Sequence, residues 1–474
     1  MINSNVQHNG DSLKHYCGIV GLISRNEINI PEKLFYPLFS LQHRGQEGCG
    51  ITYSKKDKLV TYKDLGMIGK TLSHYLKENH PSNSGIAHVR YSTSGGNRIE
   101  NVQPFSISCN KGDIAIVHNG TISNSHDIRK KLFAKGSIFQ SSSDTELILH
   151  MISSSRNTNF IDSLFETLKK LKGAFSLLVL YKNKIIAIRD PSGFRPLVMG
   201  MGKDFVAFAS ETCALDILQI KKYREIKPGE MLTVNSSLKI KSQFFAESKR
   251  KCSCIFELIY FARPDSSVFN YSVHKARERM GEFLARIDHV QPDIVIPVPD
   301  SGNSAALGYS QYSKVAFEMG LTRNHYTGRS FIQPTKEMRE FGVRMKLHPI
   351  KEVIRNKIIV LVDDSLVRGT TSKIIVKLLK EAGAKEIHLR LSSPPITHPC
   401  FFGIDIPTTD ELISHHMSAL EIAKHINADS VLFLPVECLE QCVQNPKDFC
   451  YACFTGKYPI KIDRKLLEGN QICK

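Results

Sequence analysis

The hydrophobic pattern changes character near residue 250. Before that point short apolar runs alternate with turn-forming residues, for example in 173–200. This spacing is typical of antiparallel hairpins. Beyond it, apolar runs such as 358–362 are followed by helical patterns such as 372–384. That alternation predicts a parallel sheet with helices on both faces. The charged stretch 247–254 between the two regions is of the linker type.

The apolar run 358–362 ends in an informative set of side chains. Two carboxylates, Asp363 and Asp364, follow it directly, and small or hydroxylated residues then lead into a helical pattern. Turn amides and a helix N-terminus together favour an anion. The carboxylates suit ribose hydroxyls, or a Mg²⁺ that those hydroxyls share. The alternative is a buried strand followed by an ordinary capped helix.

Turn-rich segments of the first half carry single polar groups between hydrophobic runs. An apolar strand pattern starts at Cys17. A thiol with an unperturbed pKa of about 8.5 is a modest nucleophile at neutral pH and needs a nearby base. If residues 1–16 are removed, the free α-amino group of Cys17, with a pKa of about 7.7–8.0, becomes that base. The other segments of this kind are 41–50, 85–96, 117–124 and 142–146.

Composition excludes several classes of protein. With 474 residues the chain is long enough for two to three domains, and no apolar stretch is long enough to span a membrane. The net charge of +17 would suit nucleic acid or anionic substrates. Because the charge is dispersed and no base-stacking or zinc-finger pattern accompanies it, we expect no nucleic-acid partner. Residues 1–16 are polar and are not a secretory signal.

Two known signatures are present. The segment 358–372 resembles the phosphoribosyltransferase signature, which binds phosphoribosyl pyrophosphate (PRPP). The motifs of the first half resemble the class II glutamine amidotransferase domain, an N-terminal-nucleophile hydrolase. Both occur together in the amidophosphoribosyltransferase family, which the chain resembles from Cys17 to about residue 459.

The resemblance implies a fold of mixed α+β and α/β class. Residues 17–250 are expected to form an N-terminal-nucleophile αββα sandwich, the glutaminase domain. Residues 251–474 are expected to form a parallel-sheet type I phosphoribosyltransferase domain with a C-terminal cysteine segment. Residues 1–16 are expected to be a propeptide that is cleaved between Tyr16 and Cys17.

The resemblance also implies an activity. Ammonia released from glutamine attacks PRPP and gives 5-phosphoribosylamine, with glutamate and pyrophosphate as the other products. This is the first committed step of de novo purine (IMP) biosynthesis. The expected cofactors are Mg²⁺ and a [4Fe–4S] cluster. The expected assembly is a cytoplasmic homotetramer that purine nucleotides inhibit by feedback, with no nucleic-acid or membrane partner.

For the glutaminase site, the resemblance implies a nucleophile and an oxyanion hole. Cys17 attacks the side-chain amide of glutamine. The side chain of Asn119 and the backbone N–H of Gly120 then donate to the oxyanion of the tetrahedral intermediate. Taken alone, Asn119–Gly120 also fits an ordinary hairpin turn.

The same resemblance implies a binding pocket for the amino-acid end of glutamine. Arg90 suits the carboxylate through a bidentate fork, and Asp144 suits the ammonium group. Arg44 and Thr93 match positions that support the pocket in the family. The alternatives are a surface ion pair for Arg90 and a helix N-cap for Asp144.

For the transferase site, the resemblance implies a PRPP loop, a Mg²⁺ site and a lid. Ser301 joins Asp363 and Asp364 at the Mg²⁺. The segment 326–346 closes over pyrophosphate and excludes water; its alternative is a solvated charged loop. The implied PRPP-binding residues are Asp363, Asp364, Ser365, Arg368, Gly369, Thr370 and Thr371 in the loop, and Arg329, Arg344 and Lys346 in the lid.

Cysteine spacing suggests a metal centre near the C-terminus. Cys450 and Cys453 have a C-x-x-C spacing. By resemblance they join Cys254 and Cys400 to hold the [4Fe–4S] cluster as a structural staple. Four thiolates would also suit a structural zinc ion. Further thiols lie close in sequence, at Cys252, Cys438 and Cys442.

Two other functions compete with the bifunctional enzyme. A PRPP-sensing regulator would use the positive charge to bind DNA, but a glutaminase-like region stands where a helix-turn-helix is expected. Another class II amidotransferase, such as a sugar-phosphate or asparagine-forming synthase, would lack the segment 358–372.

Overall fold

A computed structural model describes residues 17–56, 58–91, 98–325, 342, 344–406 and 408–462. Its strands are β1 Gly18–Asn29, β2 Gly48–Lys55, β3 Lys58–Leu65, β4 Pro81–Arg90, β5 Phe105–Cys109, β6 Gly112–Ile122, β7 Gly173–Tyr181, β8 Lys184–Arg189, β9 Val198–Met201, β10 Phe205–Ala209, β11 Tyr223–Glu225, β12 Glu230–Asn235, β13 Ile240–Phe244, β14 Ser253–Cys254, β15 Ser267–Val268, β16 Tyr271–Ser272, β17 Ile294–Pro297, β18 Leu321–Arg323, β19 Leu347–Pro349, β20 Ile358–Asp363, β21 Glu386–Leu391, β22 Ser430–Phe433 and β23 Phe449–Cys450.

The helices alternate with these strands. They are α1 Ile30–Ser40, α2 Ile68–Thr71, α3 Ser125–Phe133, α4 Thr145–Ser153, α5 Phe160–Leu168, α6 Thr212–Ile217, α7 Val273–Ile287, α8 Asn303–Ser313, α9 Lys351–Ile354, α10 Thr370–Glu381, α11 Ile413–His416, α12 Ala419–Ile426, α13 Val436–Gln441 and α14 Ala452–Thr455. Short 3₁₀ turns occupy Gln42–Arg44, Ser73–Lys77, Ile99–Asn101, Thr409–Glu411 and Pro446–Asp448, and a π-helical turn occupies Glu257–Phe261.

Two antiparallel sheets stack face to face in the first half. One has the strand order β11-β9-β10-β1-β4-β2-β3 and the other β13-β12-β8-β7-β6-β5. Side chains alternate between the faces of a strand, so Ile19 and Ile23 of β1 face the second sheet while Val20 and Leu22 pack under α1. Helices α1 and α6 cover one sheet, and α3, α4 and α5 cover the other. The predicted αββα sandwich is confirmed.

A parallel sheet forms the core of the second half, in the order β17-β20-β21-β22. Val360 and Val362 of β20 face α7 and α8, whereas Ile359 and Leu361 face α10 and α12. Burial on both faces explains the continuous apolar run of this strand. In open α/β sheets ligands bind at the carboxyl ends of the strands, and here that end carries Asp363.

Two small strand pairs complete the second half. In the parallel pair β14–β23, Cys254 lies opposite Cys450. The antiparallel pair β18–β19 joins the chain on either side of 326–341. Antiparallel strands of the sandwich run to Phe244, and the parallel sheet starts at Ile294, so the boundary predicted near residue 250 falls between them. Within the described ranges, no helix is long and apolar enough to cross a membrane.

Candidate active sites

Cys17 lies immediately before β1, next to the end of β4, and its side chain is half-buried. Burial raises the pKa of the Cys17 thiol, and the negative charge of Asp144 raises it further. A hydrogen bond to the Tyr91 backbone and the positive charges of Arg90 and Arg44 lower it in part. These charges act on the sulfur because the folded chain gathers Arg90, Arg44 and Asp144 around it.

Asn119 and Gly120 lie inside β6, so the hairpin-turn alternative is wrong. The Asn119 side chain is fully buried, and neither its Nδ2 nor its Oδ1 has a hydrogen-bond partner among the described residues. Buried amides are almost always paired, so the Asn119 side chain is a candidate to hydrogen-bond a substrate. Gly120 has a φ of 143°, and a Cβ there would lie 2.1 Å from the Ala174 carbonyl oxygen. Only glycine fits this position.

Asp144 occupies the N-cap position of α4, as the alternative predicts, but its side chain makes no capping bond to the helix. Its Oδ2 instead accepts a hydrogen bond from the Ile122 backbone N–H at 2.8 Å. Burial would raise the pKa of this carboxyl, but His118, Ile122 and Thr145 together hold it below its usual value. The carboxylate therefore stays ionised, as binding of an ammonium group requires.

The two predicted arginines behave differently. Arg90 is buried at the end of β4 beside Cys17, so it is not a surface residue. Arg44 is also buried, and its guanidinium donates to Glu211, to Glu257 and to the backbone oxygen of Cys17. The Arg44 guanidinium is thus bonded to groups of the chain itself, next to Cys17. Thr93 lies outside the described residues.

Glu211 and Glu257 are functional candidates that sequence reasoning missed. Both side chains are fully buried, and both accept hydrogen bonds from Arg44. Glutamate is rarely buried completely unless it is paired. The sequence does offer one signal: Glu257 is the only acidic residue in the apolar run CIFELIYF. The sequence alone does not show which distant arginine pairs with this carboxylate.

In the second half, the loop after β20 has the predicted form. Asp363 and Asp364 are buried at the end of the strand, and α10 begins at Thr370 directly after Gly369, whose φ is 81°. The α10 N-cap makes no side-chain capping bond. This helix N-terminus faces the region next to the two carboxylates, where an anion and a cation would bind together.

Three oxygen-bearing side chains meet at this strand end. The Ser301 hydroxyl donates to Asp363 Oδ1 at 3.0 Å, and the Asp364 backbone N–H donates to the same oxygen at 2.8 Å. Burial and the neighbouring Asp364 raise the pKa of the Asp363 carboxyl. Burial likewise raises that of Asp364. Hard oxygen donors with an excess of negative charge fit a magnesium ion.

Two of the predicted basic groups are paired with carboxylates of the chain. Arg368 pairs with Glu411 at a distance of 2.9 Å from its Nε, and Arg344 pairs with Glu381 at 3.1 Å. Lys346 lies just before β19. Arg329 and the segment 326–341 fall outside the described residues, so the lid stays a prediction.

The four predicted cluster cysteines face one another. After burial, the largest influences on the Cys453 thiol are Cys400, Cys254 and Cys450, which raise its pKa further. Cys252 also contributes to the raised pKa of the Cys450 thiol. The Phe402 N–H donates to the Cys400 sulfur at 3.4 Å. Among the described residues, no group of three or more His, Cys, Asp or Glu side chains is arranged to hold a metal ion.

Comparisons with known proteins bear on the identity of the whole chain. A family model described as glutamine amidotransferase domain matches residues 88–216. The chain is 46% identical to amidophosphoribosyltransferase 3 of Arabidopsis thaliana over 95% of its own length and 85% of that protein. It is 44% identical to the Bacillus subtilis amidophosphoribosyltransferase over 95% of each, and 42% identical to that of Methanocaldococcus jannaschii over 96% of this chain and 100% of that one.

The chain belongs to the amidophosphoribosyltransferase family.

Solved structures extend this result to three dimensions. The chain matches the glutamine PRPP amidotransferase of Bacillus subtilis complexed with ADP and GMP with a TM-score of 0.88 and 44% identity, over 94% of this chain and 98% of that one. A second structure, of the allosteric regulatory enzyme of purine biosynthesis, matches with a TM-score of 0.89 and 44% identity, over 94% of this chain and 97% of that one. The reaction is accordingly the family's own, the glutamine-dependent amidation of PRPP that begins purine biosynthesis. The regulator and the other amidotransferase classes are therefore excluded.

Proposed function

We propose that the two sites carry the two half-reactions and that Cys17, once it is N-terminal, is the nucleophile. The single observation that carries this proposal is the fully buried Asn119 amide, which lacks a partner among the described residues. Arg90 and Asp144 lie on the same side of the sandwich as Cys17 and hold the carboxylate and ammonium of glutamine. Thr93 completes this pocket by resemblance.

The glutaminase step then follows from charge and position. The α-amino group of Cys17 takes the thiol proton, and the sulfur forms a bond to the side-chain carbonyl carbon of glutamine. Asn119 and the Gly120 N–H stabilise the oxyanion. Collapse of the intermediate breaks the C–N bond, and the protonated α-amino group gives its proton to the departing ammonia. Water hydrolyses the thioester and releases glutamate.

This mechanism requires removal of residues 1–16, which lie outside the described part of the chain. With them attached, the nitrogen of Cys17 is an amide and cannot act as a base. We therefore propose cleavage between Tyr16 and Cys17.

In the transferase half, Asp363, Asp364 and Ser301 would hold Mg²⁺, and the ion would supply positive charge to neutralise the departing pyrophosphate. The chain's own contribution is position. Turn amides between Ser365 and Thr371 receive phosphate oxygens, and burial of the two carboxylates keeps them aimed at the ribose hydroxyls. Arg329, Arg344, Arg368 and Lys346 would engage pyrophosphate only after the pairs seen for Arg344 and Arg368 have separated.

For the cysteines we propose a [4Fe–4S] cluster bound by Cys254, Cys400, Cys450 and Cys453. Their mutual proximity and the N–H bond to the Cys400 sulfur support it, because amide donors to sulfur are typical of such sites. Iron and sulfide analysis of anaerobically purified protein tests this assignment. Four irons and four sulfides per chain are expected, whereas zinc or an iron-free active protein would contradict it.

Regulation and assembly are proposals by resemblance. The Bacillus subtilis structure was complexed with ADP and GMP, so we propose that purine nucleotides inhibit this enzyme also. We likewise propose a homotetramer located in the cytoplasm.

Leader-free protein tests the nucleophile directly. Cys17→Ala is expected to abolish glutamine-dependent release of pyrophosphate while ammonia-dependent release continues. Cys109→Ala, which changes a half-buried thiol elsewhere in the same sandwich, is the control and should retain both activities. Glutamine-dependent activity in Cys17→Ala, or in wild-type protein whose intact mass still includes residues 1–16, would contradict the proposal.

A further inference from the structure

A buried charge network joins the two halves directly behind Cys17. Arg44 and Glu211 come from the sandwich and Glu257 from the start of the second half, and all three side chains are fully buried. Glu257 Oε2 accepts from Arg44 NH1 at 2.9 Å, and its Oε1 accepts from Arg44 NH2 at 2.8 Å. The pair is therefore bidentate, the geometry that fixes the plane of a guanidinium.

The orientation of this plane determines a contact to the nucleophile. With both terminal nitrogens of Arg44 held by Glu257, the remaining nitrogen, Nε, points at the backbone oxygen of Cys17, 3.2 Å away. That oxygen belongs to the residue whose sulfur and α-amino nitrogen must both be aligned with the substrate. A rotation of the Arg44 guanidinium would therefore shift the backbone of Cys17 and, with it, the nucleophilic sulfur.

Glu257 also reaches the other wall of the glutaminase site. Its Oε1 accepts from Arg195 NH1 at 3.1 Å, and Arg195 NH2 donates to the Phe402 backbone oxygen at 2.9 Å. The next residue, Gly403, packs so tightly that a Cβ there would lie 3.2 Å from the Cα of Gly120. One carboxylate thus lies between β1, which begins directly after Cys17, and β6, which carries the proposed oxyanion donors.

The turn that carries Glu257 is itself anchored in the transferase half. Arg277 of α7 is buried and donates to the Leu258 oxygen at 2.9 Å and to the Ala262 oxygen at 2.8 Å. These two bonds bracket the π-helical turn Glu257–Phe261. The position of Glu257 is consequently set by the second half, although its side chain acts in the first.

We infer that Glu257 is a positioning residue for glutamine hydrolysis: the transferase half holds Arg44 through it and thereby places the Cys17 backbone. The inference rests on the proposed role of Cys17 as nucleophile. Buried charges are costly and contribute little net stability compared with apolar packing of the same volume. The carboxylate also neutralises the buried guanidiniums of Arg44 and Arg195, so a purely structural role predicts equal loss of both activities and a positioning role predicts a selective loss.

Glu257→Gln in leader-free protein is the decisive variant, because it keeps the shape of the side chain and removes its charge. Asp288→Asn is the matched control: Asp288 is a buried carboxylate of the same half, bound to Arg390 and Tyr309 away from the junction. Three rates are compared: glutamine-dependent turnover, ammonia-dependent turnover, and alkylation of Cys17 by the glutamine analogue 6-diazo-5-oxonorleucine.

For Glu257→Gln we expect glutamine-dependent kcat and the alkylation rate to fall about 10- to 100-fold, the scale of a misplacement near 1 Å. Ammonia-dependent kcat should stay within about twofold of wild type. Asp288→Asn should not separate the two activities. Arg44→Lys keeps the charge but loses Nε, and it should show the same selective loss of glutamine-dependent turnover. This variant takes the place of Glu257→Gln if Glu257→Gln does not fold.

A proportional fall in both activities, or no fall in either, would overturn the inference. A Cys17→Ala protein that still used glutamine would instead refute the proposed nucleophile, so the two failures are distinguishable.

Discussion

At Asn119 two buried polar atoms have no hydrogen-bond partner within the described part of the chain, and the cost of that arrangement points to catalysis. An unsatisfied buried polar group costs about 1–3 kcal/mol. The residue is placed inside β6, where no turn requires an Asn. Its donor is available only to a group that arrives with the substrate.

Removal of that donor should affect one half-reaction only. Asn119→Ala is expected to lower glutamine-dependent kcat by about 10²–10³-fold, the usual effect of losing one oxyanion donor. Ammonia-dependent kcat should not change. Steady-state assays with each nitrogen source measure both values. Asn124→Ala is the control, because the Asn124 side-chain amide hydrogen-bonds to the backbone of Lys170 and Lys172. This variant should retain both activities. Equal losses in the two variants would contradict the assignment.

His88, buried beneath the same site, predicts a pH dependence of stability. Burial lowers the pKa of this imidazole from 6.5 to about 3. Between these two values the unfolded chain binds the proton and the folded chain does not, so the free energy of unfolding decreases as the pH falls from 6.5 towards 3.

The histidine contribution can be isolated by substitution. His88→Gln keeps a donor for the His118 carbonyl oxygen, which His88 contacts at 3.2 Å. Its urea midpoint should decline less steeply with falling pH than that of the wild type. His126→Gln, at an exposed position, should leave the wild-type slope intact. Identical slopes in His88→Gln and the wild type would show that His88 is not responsible.

At the scale of elements, the sequence predicts whatever has a strong local pattern. The run 358–362 and the following helix match β20 and α10, because burial on both faces and helical periodicity leave clear signals. Asn119–Gly120 is the contrary case. Asn-Gly is a strong hairpin signal, yet tertiary pairing of β6 with β7 overrides it. Contacts such as Arg44 to Glu257, 213 residues apart, leave no local trace at all.

The loop between β17 and α8 offers a test of the proposed magnesium site. At Gly302, which has an ordinary φ of −78°, a Cβ would lie 2.2 Å from the Val362 backbone oxygen. Gly302→Ala should therefore displace Ser301 from Asp363 and raise the KM for PRPP about tenfold or more, since positioning effects of this size are common. Both nitrogen sources should be affected equally.

A glycine in open packing serves as the comparison for that variant. In α2, a Cβ at Gly69 would meet only the Phe39 ring at 3.4 Å, an ordinary contact. Gly69→Ala should keep the wild-type KM for PRPP. A Gly302→Ala enzyme with unchanged PRPP kinetics would indicate that the loop does not contribute to the site.

At the scale of the whole molecule, buried contacts join the sandwich, to which we assign ammonia release, and the parallel sheet, to which we assign PRPP binding. Glu257 and Phe402 of the second half bind arginines behind the glutaminase site. Two of the four cysteines lie close to the same junction in sequence, since Cys254 and Cys400 precede Glu257 and Phe402 by three and two residues. Loss of a cluster at these cysteines would therefore disturb the junction as well as the C-terminal segment.

The most direct test of the account is the stoichiometry of the two products. Anaerobically purified, leader-free protein is given PRPP, Mg²⁺ and glutamine, and the release of glutamate and pyrophosphate is measured together. The account predicts one glutamate for each pyrophosphate, with both products absent in Cys17→Ala. Pyrophosphate release from wild-type protein with ammonia but never with glutamine would contradict the account.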